Sequence, residues 1–200
     1  MQKVNDRRAA GKHSSGTRIL HDTRAQVPSP KSQVPLESLA ATLAARLAEQ
    51  NKTLALAESC TAGLATALLA GVPGASRVLW GSYVTYTCEA KERMLAVPRA
   101  LLERHGAVSA ECACALARGA LEQSGADLAA AVTGLAGPSG DGSETPVGTV
   151  WIACCRRGEE PRPQVFHFTG ARNEVRLAAA EETLRAVWSL LENKAHDRSA

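Results

Sequence analysis

The chain has 200 residues, 45% of them hydrophobic, with a formal net charge of +3. That is enough for one domain with a sizeable core and too little for a second of ordinary size. Seven basic residues against two acidic ones fall within positions 1–35, so the remainder is slightly acidic and offers no general surface for nucleic acid.

Positions 1–35 are rich in Ser, Arg, Lys and Pro and poor in large apolar residues, which predicts a disordered basic extension ahead of a domain at 36–193, with a flexible end at 194–200. No apolar run is long enough to span a bilayer and no signal segment is evident, which predicts a cytoplasmic protein without membrane contact. The six cysteines, including Cys112-Ala113-Cys114 and adjacent Cys154-Cys155, lack zinc-ligand spacing and are expected as buried, reduced thiols. No histidine or carboxylate cluster suggests a metal, and no cofactor motif is present.

Leu36, Leu39, Leu43 and Leu47 recur at helical spacing, so a first helix ends near Asn51. Leu54-Ala55-Leu56-Ala57 then reads as a buried strand that delivers the turn Glu58-Ser59-Cys60-Thr61-Ala62-Gly63. Leu64 to Ala70 follows as a helix that stops at Gly71 and Pro73, which puts Ser59 and Thr61 near its start. Free N–H groups there would stabilise an ionising hydroxyl or a bound phosphate, whereas the plain alternative makes one hydroxyl an N-cap.

Arg77 to Tyr86 suits a second strand, and a short helix around Ala90 to Leu95 carries Lys91. A lysine in an apolar surround can lose its proton and serve a serine as base, with Tyr86 able to relay a proton; the alternative is a solvated lysine between Glu89 and Glu92.

Pro98 to His105 forms the next helix, with His105 read as favoured by the helix dipole in its last turn. Ser109 caps a helix over Ala110 to Gln123. Asp127 to Val132 is a strand entering Thr133-Gly134-Leu135-Ala136-Gly137-Pro138, a loop that could cradle an anion or be a plain turn. Pro146 to Cys155 and Gln164 to Phe168 are two more strands, and Gly170 opens the last helix. Arg172 and Arg176 in its first turns run against the dipole preference, so they are either phosphate forks or plain exposed arginines. Strands alternating with helices predict a three-layer α/β/α sandwich with a mainly parallel central sheet.

From about Ser38 to Leu191 the chain resembles the competence/damage-inducible CinA C-terminal domain family, whose stand-alone members are nicotinamide-nucleotide amidases of the PncC type. The matching segments are Ala57 to Gly63, Tyr83 to Tyr86 with Glu89-Ala90-Lys91, His105 to Ser109, Ala131 to Pro138, and Pro146 to Trp151. The resemblance implies hydrolysis of nicotinamide mononucleotide to nicotinate mononucleotide and ammonia. Ser59 would be the nucleophile, Lys91 the base and Tyr86 an assisting hydroxyl, with Thr133 and Gly134 against the pyridine mononucleotide; Thr61 and Gly63 at the helix start and the arginines Arg172 and Arg176 are the further candidate contacts to it. It also implies a homo-oligomer.

Two positions depart from the family pattern: Thr87-Cys88 stands where a Ser-Asn or Ala-Asn pair is usual, and Ala62 where glycine is common. Ala62 is expected to fit a first helical turn. Cys88 motivates an alternative in which the pocket binds nucleotide without turning it over, and Cys60 beside Ser59 motivates a thiol nucleophile.

Overall fold

A computed structural model describes residues 36–193; the basic extension at 1–35 and the chain end at 194–200 lie outside the described residues. Five strands form one sheet in the order β2-β1-β3-β4-β5. They are β1 (Leu54–Glu58), β2 (Leu79–Val84), β3 (Leu128–Gly134), β4 (Thr149–Arg156) and β5 (Arg162–His167).

Six helices cover the sheet: α1 (Leu36–Glu49), α2 (Leu64–Ala70), α3 (Cys88–Leu95), α4 (Arg99–His105), α5 (Ala110–Ser124) and α6 (Arg172–Glu192). The layers follow from alternation along the strands. In β1, Leu54 and Leu56 join the core shared with α1, α2 and α6, whereas Ala57 joins the core shared with α3, α4 and α5. The expected three-layer sandwich is therefore what the chain forms.

The sheet is mixed. β1 pairs in parallel with β2 and with β3, while β4 pairs antiparallel with β3 and with β5. Parallel neighbours need a long crossover, and α2 and α3–α5 supply two; the connections at 135–148 and 157–161 hold no helix, so the chain turns back antiparallel. The parallel half carries the site: β1 lies between β2 and β3, where the strand order reverses, and the carboxyl ends of strands at such a switch point are where α/β sheets hold their ligands.

Element boundaries match the sequence reading closely in α2 and α4, and Ser109 caps α5 by accepting from the Cys112 N–H at 3.1 Å. All six cysteines are free, but Cys88 is exposed, at the start of α3, where Thr87 caps the helix by accepting from Ala90 N–H. Among the described residues no helix is long and apolar enough to cross a membrane.

Candidate active site

The alternation that builds the two cores also sets the site. Glu58 and Ser59 are successive residues at the end of β1, so they face opposite layers: Glu58 towards α2, Ser59 towards α3.

Glu58 is fully buried, and its carboxylate is the cap of α2. It accepts from the N–H groups of Gly63 at 2.8 Å, Ala65 at 3.2 Å and Thr66 at 2.8 Å, and from the Thr66 hydroxyl. Neither Ser59 nor Thr61 caps the helix, because Gly63 is the N-cap residue at φ 94° and Glu58 takes the orphan donors. This also removes Gly63 as a donor to substrate. Sequence reasoning missed Glu58; its signal was an acid in a short apolar strand just ahead of a helix whose first turn has no acid of its own. We expect Glu58→Ala to cost roughly 2–4 kcal/mol of stability, since three N–H groups lose a charged acceptor, and urea unfolding measures this directly.

With the cap supplied elsewhere, the Ser59 hydroxyl is free to meet Lys91, whose Nζ lies 2.8 Å from Ser59 Oγ. Lys91 is 1% exposed, and its second contact is the carbonyl of Thr85, at 2.7 Å. No carboxylate within ion-pair distance balances its charge among the described residues. Burial therefore pushes the Lys91 amine below the ordinary lysine range, against a weaker opposing pull from the thiols of Cys112, Cys88 and Cys60. A neutral Lys91 keeps two N–H groups and one lone pair. One N–H satisfies the Thr85 carbonyl, which leaves the lone pair for the Ser59 proton. The surface-lysine alternative is thus excluded by burial.

The remaining expected residues divide into two groups. Tyr86 and Arg172 stand together at the rim: both are exposed, and Arg172 Nη2 donates to the Tyr86 hydroxyl at 2.7 Å while Nη1 donates to the Gly137 carbonyl. Tyr86 makes no hydrogen bond to Ser59 or Lys91 among the described residues, so its hydroxyl sits with the rim arginine and not in a relay.

Thr133, Gly134 and Arg176 are committed to the scaffold. The Thr133 hydroxyl donates to the Ala107 carbonyl at 2.7 Å and ties the segment before α5 to the end of β3. A side chain at Gly134 would meet the Thr149 carbonyl at 2.7 Å and Val150 at 2.7 Å, so this glycine allows close packing on β4. Arg176 spends its guanidinium on Cys60, Thr61 and Asn173, which rules it out as a free phosphate fork. The Thr61 and Thr85 hydroxyls are buried with no partner.

Ala62 sits at φ 51°, in the left-handed region and not in a helical turn as expected. The family's glycine is accounted for by this backbone, which penalises a Cβ. We expect Ala62→Gly to raise stability by about 1 kcal/mol, visible as a higher melting temperature at unchanged fold.

Cys60 is a poor rival to Ser59. It is buried, and burial pushes its thiol up to about 12, against the pull of its own and the Thr61 backbone N–H groups. A thiol in that range offers almost no thiolate near neutrality.

The geometry can be set against known proteins. The family model for the CinA C-terminal domain matches residues 36–191. A CinA-like protein of Akkermansia muciniphila is 46% identical over 147 residues, covering 74% of this chain and 36% of that protein. A CinA-like protein of Citrifermentans bemidjiense is 52% identical over 134 residues, covering 67% and 32%. The chain thus spans about a third of the length of these relatives. Among solved structures, a competence-damaged protein (CinA) superfamily protein from Escherichia coli superposes with a TM-score of 0.77 at 33% identity, over 88% of this chain and 99% of that one. The competence/damage inducible protein CihA from Agrobacterium tumefaciens gives 0.75 at 37% identity, over 78% and 94%. The chain therefore belongs to the CinA C-terminal domain family.

Proposed function

We propose that the protein is an amidohydrolase that converts nicotinamide mononucleotide to nicotinate mononucleotide and ammonia, with Ser59 as nucleophile and Lys91 as base. The observation that carries this reading is the 2.8 Å contact between the Ser59 hydroxyl and a buried lysine with no carboxylate partner. A serine at its ordinary pKa is a weak nucleophile and needs an adjacent base, and a desolvated neutral amine is one.

In the reaction, Ser59 Oγ bonds to the carboxamide carbon as its proton passes to Lys91. The tetrahedral intermediate collapses with cleavage of the C–N bond, and Lys91 returns the proton to the leaving nitrogen, so ammonia departs. A water then gives its proton to Lys91 and attacks the ester, and nicotinate mononucleotide leaves as Ser59 regains its proton. Thr85 acts through its carbonyl, which holds the amine towards Ser59 throughout. The exposed Arg172, braced between Gly137 and Tyr86, is the group best placed to receive a phosphate at the rim.

Assembly as a homo-oligomer and a cytoplasmic setting belong to the same proposal. The test is ammonia release from the mononucleotide by the purified chain, matched mole for mole by the acid product. A folded protein that binds the mononucleotide and releases no ammonia would make it a binding module instead.

A further inference from the structure

In the parallel ladder between β1 and β3, the even-numbered residues of β3 are the ones that bond to β1. The ladder opens with the Leu128 N–H donating to the Thr53 carbonyl at 3.0 Å and closes with the Ser59 N–H donating to the Val132 carbonyl at 3.0 Å. One step further, the series would take the Gly134 N–H to the Ser59 carbonyl. That carbonyl is already used: it accepts from the Ala62 N–H at 3.1 Å, in the turn that Ala62 closes at φ 51°. Nor does the Gly134 N–H face β4, which bonds the odd-numbered side of β3: the Leu135 N–H donates to the Thr149 carbonyl at 2.9 Å, and the Arg157 N–H to the Asp127 carbonyl at 3.0 Å. Among the described residues the Gly134 N–H meets no acceptor.

This unused donor stands beside the nucleophile. The register pairs Glu58 with Val132, so Ser59 and Thr133 are the next neighbours, one strand spacing of about 4.8 Å apart. An N–H in the plane of the sheet, past the last rung, borders on both faces, including the α3/α5 face where Ser59 meets Lys91. On the other side of β1 lies β2, and there the Thr85 carbonyl holds Lys91 at 2.7 Å. The base and the free N–H therefore flank Ser59 from opposite sides. Gly134 is also the one residue of β3 that is not buried, so an incoming group can reach it.

The donor is fixed in place. Thr133 pairs with Trp151 before it and Leu135 bonds Thr149 after it, while the space that a Cβ at Gly134 would need is filled by the Thr149 carbonyl and Val150, each at 2.7 Å. The Cα of Gly134 is spent on packing; its N–H is left over. A dipole held this way needs no reorganisation when charge develops in front of it.

We propose that the Gly134 N–H donates to the carboxamide oxygen as that oxygen becomes an oxyanion, on the side of Ser59 away from Lys91. This deepens the Ser59 amidase reading and rests on it. When Ser59 Oγ bonds to the carbonyl carbon, the C=O π pair moves onto oxygen and the serine proton passes to Lys91; the pair returns as the C–N bond breaks and nitrogen leaves with that proton. The full charge on oxygen exists only between those steps, so the N–H favours the intermediate over bound substrate.

The test removes the N–H while leaving every side chain untouched, by building the chain with glycolic acid in place of Gly134, so that an ester oxygen replaces the N–H. This protein is compared with wild type, Gly134→Ala and Ser59→Ala. Three quantities are read on each folded protein: kcat and KM for nicotinamide mononucleotide, affinity for its carboxaldehyde analogue, and affinity for a pyridine mononucleotide without the carboxamide. The aldehyde forms a tetrahedral adduct with a serine and so reports the oxyanion donor; the bare pyridine has no oxygen there and reports the rest of the pocket. The ester is expected to lower kcat about 100- to 1000-fold and to weaken the aldehyde by a similar factor, with KM and the bare pyridine unchanged. Gly134→Ala, the variant to use if the ester does not fold, keeps the N–H but pushes the end of β3 off Thr149, and a smaller loss in the same two quantities is expected. Wild-type kcat and aldehyde affinity in the ester, or in Gly134→Ala where it stands in for the ester, would overturn the proposal. So would a loss of affinity for the bare pyridine in proportion to kcat, which is what a merely structural N–H gives. Undiminished turnover in Ser59→Ala would overturn the underlying reading instead.

Discussion

We expect Ser59→Ala to lower ammonia release from nicotinamide mononucleotide by roughly 10⁴- to 10⁶-fold while leaving the fold in place. The size follows from the role: without the hydroxyl no acyl-enzyme forms, and what remains is whatever catalysis positioning gives to direct attack by water. The fold should survive because, among the described residues, the hydroxyl's partner is Lys91, and the amine can keep its contact to the Thr85 carbonyl at 2.7 Å when the serine is gone. Binding of the mononucleotide is expected to be retained, so that the loss falls on kcat. Steady-state kinetics together with a melting curve of the variant check all three points. Cys60→Ala run beside it is expected to keep most of its activity, since burial holds that thiol up to about 12.

Lys91→Met is expected to abolish turnover to a similar extent and, at the same time, to change how stability depends on pH. In the folded protein burial lowers the Lys91 pKa, so over the range between that lowered value and the ordinary lysine value the unfolded chain binds one proton more than the native state. Stability then rises with pH through that window: the contribution is complete above the unfolded pKa of about 10.4 and is lost as pH falls to the folded pKa. Methionine cannot titrate, so the variant lacks this slope. Urea midpoints measured across neutral to alkaline pH should climb for the wild type relative to the variant. Parallel curves would mean that Lys91 carries the same charge folded and unfolded, which would remove it as a neutral base. The activity of the wild type should rise with pH as Lys91 loses its proton in the free enzyme.

Much of the scaffold is legible from the chain because local chemistry decides it. The spacing of Leu39, Leu43 and Leu47, the stop at Gly71, and Ser109 ahead of α5 all report on contacts within a few residues. The antiparallel half was legible too, had the helix-free stretch after Gly134 been weighed against the need of a parallel pair for a crossover. The pairing of Ser59 with Lys91 is different. The two lie 32 positions apart and meet only because β1 and β2 run in parallel with Glu58 beside Val84, a register that no periodicity encodes. The arginines show the same divide. Their type and place at the start of α6 were readable, but that Arg172 turns to the rim and Arg176 to the backbone of the nucleophile turn depends on where α6 lies against β1. Glu58 was hidden because a buried carboxylate looks like a breach of the apolar strand until α2 is placed over it.

The proposed reaction passes through a covalent bond between Ser59 and the acyl group of the substrate, and mass spectrometry of protein quenched with acid during turnover of nicotinamide mononucleotide addresses that bond. An acyl adduct that maps to Ser59 in the wild type and is missing in Ser59→Ala is the predicted result. Turnover with the adduct on Cys60, or with undiminished ammonia release from Ser59→Ala, would contradict it.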